Sequence, residues 1–260
     1  MKANVDYLLQ LADNAVVLGQ RNSEWCGHGP VLEEDIALAN MSLDLIGQAR
    51  LLYQLAAARK GGDATEDSLA YFRDASQFRN YSLLELPHHG PLVGYAVSDR
   101  DYATTIVRNF LYGALMVLVW DALRKSPDDD LAAIAAKSLK EASYHLHHSR
   151  DWVIRLGDGT EESHTRAQAA VDHLFVYTEE FWTHSVAESA AVDAGVAVDM
   201  RELRPAWNAM VDDTLTEAKL ARPEVKGYLP NGKNGAHSEH LSYLLGEMQS
   251  LARAHPGATW

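Results

Sequence analysis

The chain has 260 residues, 47% of them apolar and 23% charged, with a formal net charge of -13 at pH 7. That acidity argues against nucleic acid and anionic membrane as partners, because both require a basic surface. Its single cysteine, Cys26, excludes an internal disulfide and points to a reducing, cytoplasmic compartment, with Cys26 expected to be a small half-buried residue and not a reactive thiol.

The N-terminal stretch holds Asp13 and Asn14 among its apolar residues and lacks a cleavage pattern, so it does not read as a signal peptide. Instead, helical periodicity runs over 5–20, with Leu8, Leu11, Ala12, Ala15 and Leu18 on one face. Asn22 to Pro30 is expected as a loop. A second helix starts at Val31 or Leu32, with Glu33, Glu34 and Asp35 favourable to its N-terminal dipole, and stops at Gly61-Gly62. A third follows Thr65, which can cap it together with Ser68; it is predicted to reach Leu84 and to end before Pro87. His88 to Ser98 is expected as loop.

Asp101 to Lys125 is apolar almost all round and should be a central helix. Its longest apolar run, Phe110 to Trp120, is shorter than the ~20 residues a bilayer requires. Ser126-Pro127 reads as a cap with proline in the first helical position, and the following helix ends at Gly157-Asp158-Gly159. Helices over about 161–190, 199–221 and 237–254 complete the chain, with Arg222 to Gly235 as the one extended connection. No stretch alternates long enough for a strand. The expected fold class is all-α, an up-and-down helical bundle with additional packed helices, forming a single domain over 1–260.

Bundles of this size raise the question of a di-metal carboxylate centre. Such a centre takes a Glu from each of two helices and a Glu-x-x-His from each of two others, because residues three apart share a helix face. The literal match, Glu85-Leu-Pro-His88, is broken by Pro87, which should end the helix, leaving a helix end followed by loop histidines. Glu141 and His145 are four apart, and position i+3 from Glu141 is Tyr144; a buried Glu–His pair bracing two helices is the plainer expectation. Glu239 and His240 are adjacent and diverge around a helix. His145, His147 and His148 spread likewise, with one member expected inside. Glu179 and Glu180 could furnish a carboxylate, which alone is not a site. No phosphate loop, dinucleotide fingerprint or nucleophile elbow is present. One enzyme reading stays open on these residues: a di-metal oxygenase or oxidase binding through Asp44, Glu141, His145 and Glu180.

Residues 18–54, with the uncommon string Glu24-Trp25-Cys26-Gly27-His28, resemble the non-catalytic ferritin-like subunits of bacterial phenylacetyl-CoA 1,2-epoxidases, the PaaC family. So do 67–80, 140–160 and 233–249, and the likeness runs to the terminal Pro-Gly-x-x-Trp. The resemblance implies a ferritin-like fold in a multisubunit monooxygenase of aerobic phenylacetate degradation, which uses O2 and NADPH to epoxidise the substrate ring. It implies that the di-iron centre lies in a homologous catalytic subunit, PaaA, that FAD and an iron–sulfur group reside in a reductase, and that this chain pairs with and stabilises PaaA; a homodimer is a further assembly left open. For this chain it implies no catalytic residue, no cofactor-binding residue and no metal ligand. Where the catalytic subunit has Glu-x-x-His, this chain has Leu45-Ile-Gly-Gln48, and at the second motif Ala142-Ser-Tyr-His145. A shift by one would instead pair Glu141 with Tyr144; either register leaves too few ligands. Trp25 and the aromatic run Phe175, Tyr177, Phe181, Trp182 are candidates for a partner-facing surface, with core packing the alternative for each.

Overall fold

The structure, a computed structural model, describes residues 1–89, 100–225, 227 and 229–258. Residues 90–98 of the expected loop, two positions of the 222–235 connection and the terminal tryptophan lie outside the described residues. Ten α-helices make up the described chain: α1 (Val5–Ser23), α2 (Leu32–Lys60), α3 (Glu66–Tyr71), α4 (Ser82–Glu85), α5 (Tyr102–Leu123), α6 (Asp129–Gly157), α7 (Glu161–Leu174), α8 (Val186–Asp193), α9 (Met200–Glu217) and α10 (Glu239–Ala254). Among those residues there is no strand, only an isolated bridge between Asn231 and Ala236. The fold is all-α, as the periodicity predicts.

The chain divides into two compact units. One comprises Met1–Leu86, Ser185–Val196 and Pro230–Trp260; the other comprises Pro87–His184 and Ala197–Leu229.

In the first unit α1 is the centre. Its N-cap, Asn4, accepts from the Tyr7 amide at 2.7 Å, and most of its residues are buried on every side. It packs on α2, α4, α8 and α10. α2 places three acids in its first turn and Arg59 and Lys60 in its last, complementing the helix dipole, and ends on Gly61 at φ 72°.

The helix predicted from Thr65 to Leu84 is a correction. A Thr65/Ser68 capping box starts it, but it stops at Tyr71; a 3-10 turn over Ala75–Gln77 and the short α4 follow, separated by irregular chain. The reason lies on α1. Asp13 accepts the Arg79 amide and Asn14 the Tyr81 amide, both at 2.8 Å, so buried side chains replace the helical bonds of that segment. Gly232 then closes on the same segment, where a Cβ would sit 2.5 Å from the Asn80 carbonyl oxygen.

In the second unit α5 is central, packed on α6, α7 and α9. Its 22 residues are long and apolar enough to cross a membrane by composition, yet 78% of its most apolar 18-residue stretch is buried within the chain. One cap and two helix ends differ from expectation. Asp128, not Ser126, is the N-cap of α6, so Pro127 precedes the helix; Ser126 Oγ instead accepts the Asp128 amide at 3.3 Å. The helix predicted over 161–190 breaks at Leu174 into a 3-10 segment, Phe175–Trp182, and α8 begins afresh behind a Ser185/Glu188 capping box. α9 ends at Glu217, four residues short of expectation, with Lys219 at φ 58°.

Candidate functional site

On α6 the inward positions are Leu131, Ala135, Ser138, Ala142, His145, Ser149 and Val153, a run spaced three and four apart. That periodicity fixes which positions of α6 face inward. Ala142 and His145 are the buried i, i+3 pair, at 4% and 6% exposure, while Tyr144 points out at 53%. Glu141 lies at the edge of this face, half-buried, with its carboxylate 3.7 Å from Lys137 on the same helix. Of the expected buried Glu141–His145 pair, the imidazole is inside and the acid is half-buried at the rim. Of the three neighbouring histidines, His145 is the buried member and His147 the exposed one, near Asp151 at 3.5 Å.

On α2 the inward i, i+3 pair is Leu45 and Gln48, at 3% and 4% exposure, followed by buried Ala49, Leu52 and Tyr53. An alkyl group and a neutral amide thus occupy this inward i, i+3 pair. Asp44 is turned away from this face and is half-buried.

The remaining acids are engaged elsewhere. Glu179 forms a forked pair with Arg204 at 2.7 and 3.0 Å. Glu180 is fully buried in the 3-10 segment. Glu239 is exposed and His240 half-buried, diverging as adjacent helical residues must. Among the described residues, no group of three or more His, Cys, Asp or Glu side chains is arranged to hold a metal ion; within the second unit this applies to Glu141, His145 and Glu180, while Asp44 belongs to the first.

Glu85, the acid of the literal motif, is the last residue of α4 and is fully buried. Its carboxylate accepts from Asn80 Nδ2 at 3.0 Å, His237 Nδ1 at 2.8 Å and the Ser238 amide at 2.5 Å, while its carbonyl accepts from Arg21 at 2.7 and 3.1 Å. His237 also donates from Nε2 to the Phe78 carbonyl at 2.9 Å. With an acceptor on each ring nitrogen, this imidazole serves as a double donor. Glu85 therefore braces four chain segments, with three donors on its carboxylate and Arg21 on its carbonyl. His88 is likewise buried, its Nδ1 2.6 Å from Thr105 Oγ1 and 3.0 Å from Arg108 Nη2.

Two further buried acids match no ligand spacing in the sequence. Asp13, fully buried on α1, pairs with Arg73 through both its oxygens and accepts from Tyr53 OH at 2.6 Å. Burial alone would lower the Arg73 pKa, but the Asp13 charge overrides it and the net direction is up; burial, then Asp13, pushes the Tyr53 phenol well up. Glu188 on α8 accepts from Gln10 Nε2 at 2.7 Å, the Ser185 amide at 2.7 Å and the fully buried Lys233 at 2.8 Å. In sequence, the Asp-Asn pair inside the apolar run of α1 signals the first network and Ser185-x-x-Glu188 part of the second.

Of the aromatic candidates for a partner face, Tyr177 is half-buried and the others are interior. Trp25 is 4% exposed, and Phe175, Phe181 and Trp182 are buried with ring centroids 5.3–6.1 Å from that of Trp207. Ordinary core packing holds them. Cys26 is exposed, contrary to the half-buried expectation, because the turn that folds Trp25 inward presents its neighbour to solvent.

These features define an all-α helical bundle whose inward i, i+3 positions on two long helices carry Leu45 with Gln48 and Ala142 with His145. The chain matches the family described as phenylacetic acid catabolic protein (PaaA_PaaC) over residues 1–260, and it belongs to that family. It is also 44% identical, over 254 residues and 98% of each chain, to one subunit, the C component, of the 1,2-phenylacetyl-CoA epoxidase of Escherichia coli (strain K12).

Proposed function

We propose that this chain is a structural, non-catalytic subunit of a cytoplasmic phenylacetyl-CoA 1,2-epoxidase, acting as one ferritin-like domain that pairs with and stabilises a homologous di-iron catalytic subunit, PaaA. Ring epoxidation with O2 and NADPH is assigned to that partner and its flavin and iron–sulfur reductase, and no step to residues of this chain. The observation that carries this reading is the buried Leu45–Gln48 pair of α2. A di-iron centre concentrates carboxylates in a dry core, where their charge is tolerable only against metal. The groups at Leu45, Gln48 and Ala142 neither neutralise a metal nor need one, so the donors present do not fit a di-metal carboxylate centre. The fold can then persist as scaffold.

Two measurements test this. Metal analysis of the purified chain should find far less than one iron or manganese per chain. A turnover assay of the reconstituted epoxidase should lose activity when this chain is omitted, through loss of folded catalytic subunit. Near-stoichiometric metal that disappears in His145→Ala would overturn the proposal in favour of a centre of its own.

A further inference from the structure

Residues 230–238 form a strap across the first unit, fastened at each end by a buried basic side chain. Upstream, the enclosed Lys233 meets Glu188 of α8 at 2.8 Å and lies over the Tyr81 ring at 5.4 Å. Beside it the Gly232 amide donates to Ser82 Oγ at 3.1 Å. Downstream, the His237 side chain is 5% exposed and donates to Glu85 from Nδ1 at 2.8 Å and to the Phe78 carbonyl from Nε2 at 2.9 Å. Between the two fastenings sits Gly235 at φ 88°, a conformation that suits a hinge. Ser238 follows as the N-cap of α10; its side chain makes no cap bond, and its amide is held by Glu85 at 2.5 Å.

The proton count of one imidazole decides whether the downstream end holds. A carbonyl and an ionised carboxylate only accept, so the two contacts need an N–H on each ring nitrogen, which the imidazolium alone has. Whichever nitrogen gives up its proton, a lone pair then faces a buried oxygen, a lost bond and a repulsion together. The surrounding charges favour the imidazolium. Glu85 touches the ring directly and, as a carboxylate should, accepts also from Asn80 and the Ser238 amide. Two guanidiniums oppose it through the carbonyls they bind: Arg79 on Phe78 at 2.7 Å, and Arg21 on Glu85 at 2.7 Å, itself paired with Glu24. From α10, His240 offers its carbonyl to Arg21 at 3.4 Å, and Glu239 is exposed. The carboxylate in contact outweighs these more distant charges. We propose that His237 is a protonation latch: as imidazolium it clasps the start of α10 to the 78–85 segment, and loss of one proton frees 235–238 while Lys233 keeps the strap anchored. An unfolded imidazole gives up its proton at about pH 6.5. The latch therefore contributes fully below that pH, and its contribution is lost as pH rises through the folded ring's own midpoint.

The test is NMR of the full chain with labelled imidazole nitrogens, joined to amide hydrogen exchange between about pH 6 and about pH 10. At neutral pH both nitrogens of His237 should carry hydrogen. Above the midpoint, protection of the Ser238 amide should fall about tenfold per pH unit, the slope of a one-proton release. The Arg79 and Tyr81 amides, which α1 holds, should keep theirs. His237→Gln should leave Ser238 unprotected throughout and abolish the slope. A ring with a single N–H at neutral pH would overturn the proposal, and that reading needs no variant to fold. A ring still doubly protonated at about pH 10 would overturn it too, reducing His237 to a fixed brace. So would a slope that persists in His237→Gln, or Arg79 and Tyr81 amides that open in step with Ser238, since the event would then be unfolding of the whole unit.

Discussion

Around α1, the buried polar groups include three matched sets of charges: Asp13 with Arg73, Glu85 with His237, Glu188 with Lys233. Around α9, the buried bulk is ring carbon, with Trp207 enclosed by Phe175, Phe181 and Trp182. The contrast follows from how each unit is assembled. The first is stitched from three separate stretches of chain and includes the irregular segment between α3 and α4. Irregular backbone has no ladder of its own, so its amides and carbonyls require side-chain partners such as Asp13, Asn14 and Arg73. The second unit is mostly long helices, which satisfy their own backbone and can be filled with apolar rings. Buried ion pairs add little net stability over apolar replacements, but a half-broken one is costly. The first interior therefore enforces one arrangement of its segments, and the second supplies burial.

Breaking the charge network should give the larger effect. Arg73→Ala leaves the Asp13 carboxylate buried without its cation and frees the Leu69 and Gln77 carbonyls that Arg73 serves, an expected loss of about 3–5 kcal/mol in denaturant unfolding. Asp13→Leu combined with Arg73→Met should recover a large part of it, less the Arg79 amide bond. A double variant as unstable as the single one would show that the pair acts by more than mutual neutralisation. In the aromatic unit, Trp207→Leu removes ring volume and the 3.1 Å bond to the Leu111 carbonyl, at about 3 kcal/mol. Trp207→Phe should cost less, because volume and not charge matching governs there; equal losses would remove the distinction between the two interiors.

The long helices were legible because their apolar residues recur at helical spacing and their caps are local: Thr65 with Ser68, and Asp101, Thr160 and Asp199 at their helix starts. The breaks were less so. Asp74-x-x-Gln77 and Ser185-x-x-Glu188 are capping boxes visible in sequence, and could have split the two overlong helices. What ends α3, however, is the hold of Asp13 and Asn14 on a segment 66 and 67 residues away, which no local window contains. The inward register of α6 is open in sequence because Glu141 and Ala142 differ by one position, and the burial of His145 beside outward Tyr144 decides it. Glu85 and His237, 152 residues apart, could not be paired by spacing at all.

The smallest effect tests whether surface charge behaves unlike either interior. Asp199 is the N-cap of α9, accepting the Arg201 amide at 2.9 Å, and its carboxylate also meets the Arg201 guanidinium at 2.6 Å and His184 Nε2 at 2.8 Å. The Arg201 hydrogen bond first, with lesser help from His184, holds this carboxyl well below the usual range. A depressed folded pKa stabilises the fold above the unfolded value, near 3.9, and that stabilisation fades as pH falls toward the folded value. Asp199→Ala should cost about 1 kcal/mol at neutral pH, as lost caps do, and the Tm gap to wild type should begin to narrow below about pH 4. Asp199→Asn keeps a capping oxygen without the charge, so it should retain most of the stability at neutral pH while losing that acid dependence. An Asn variant with the wild-type acid profile would assign the dependence to another carboxylate.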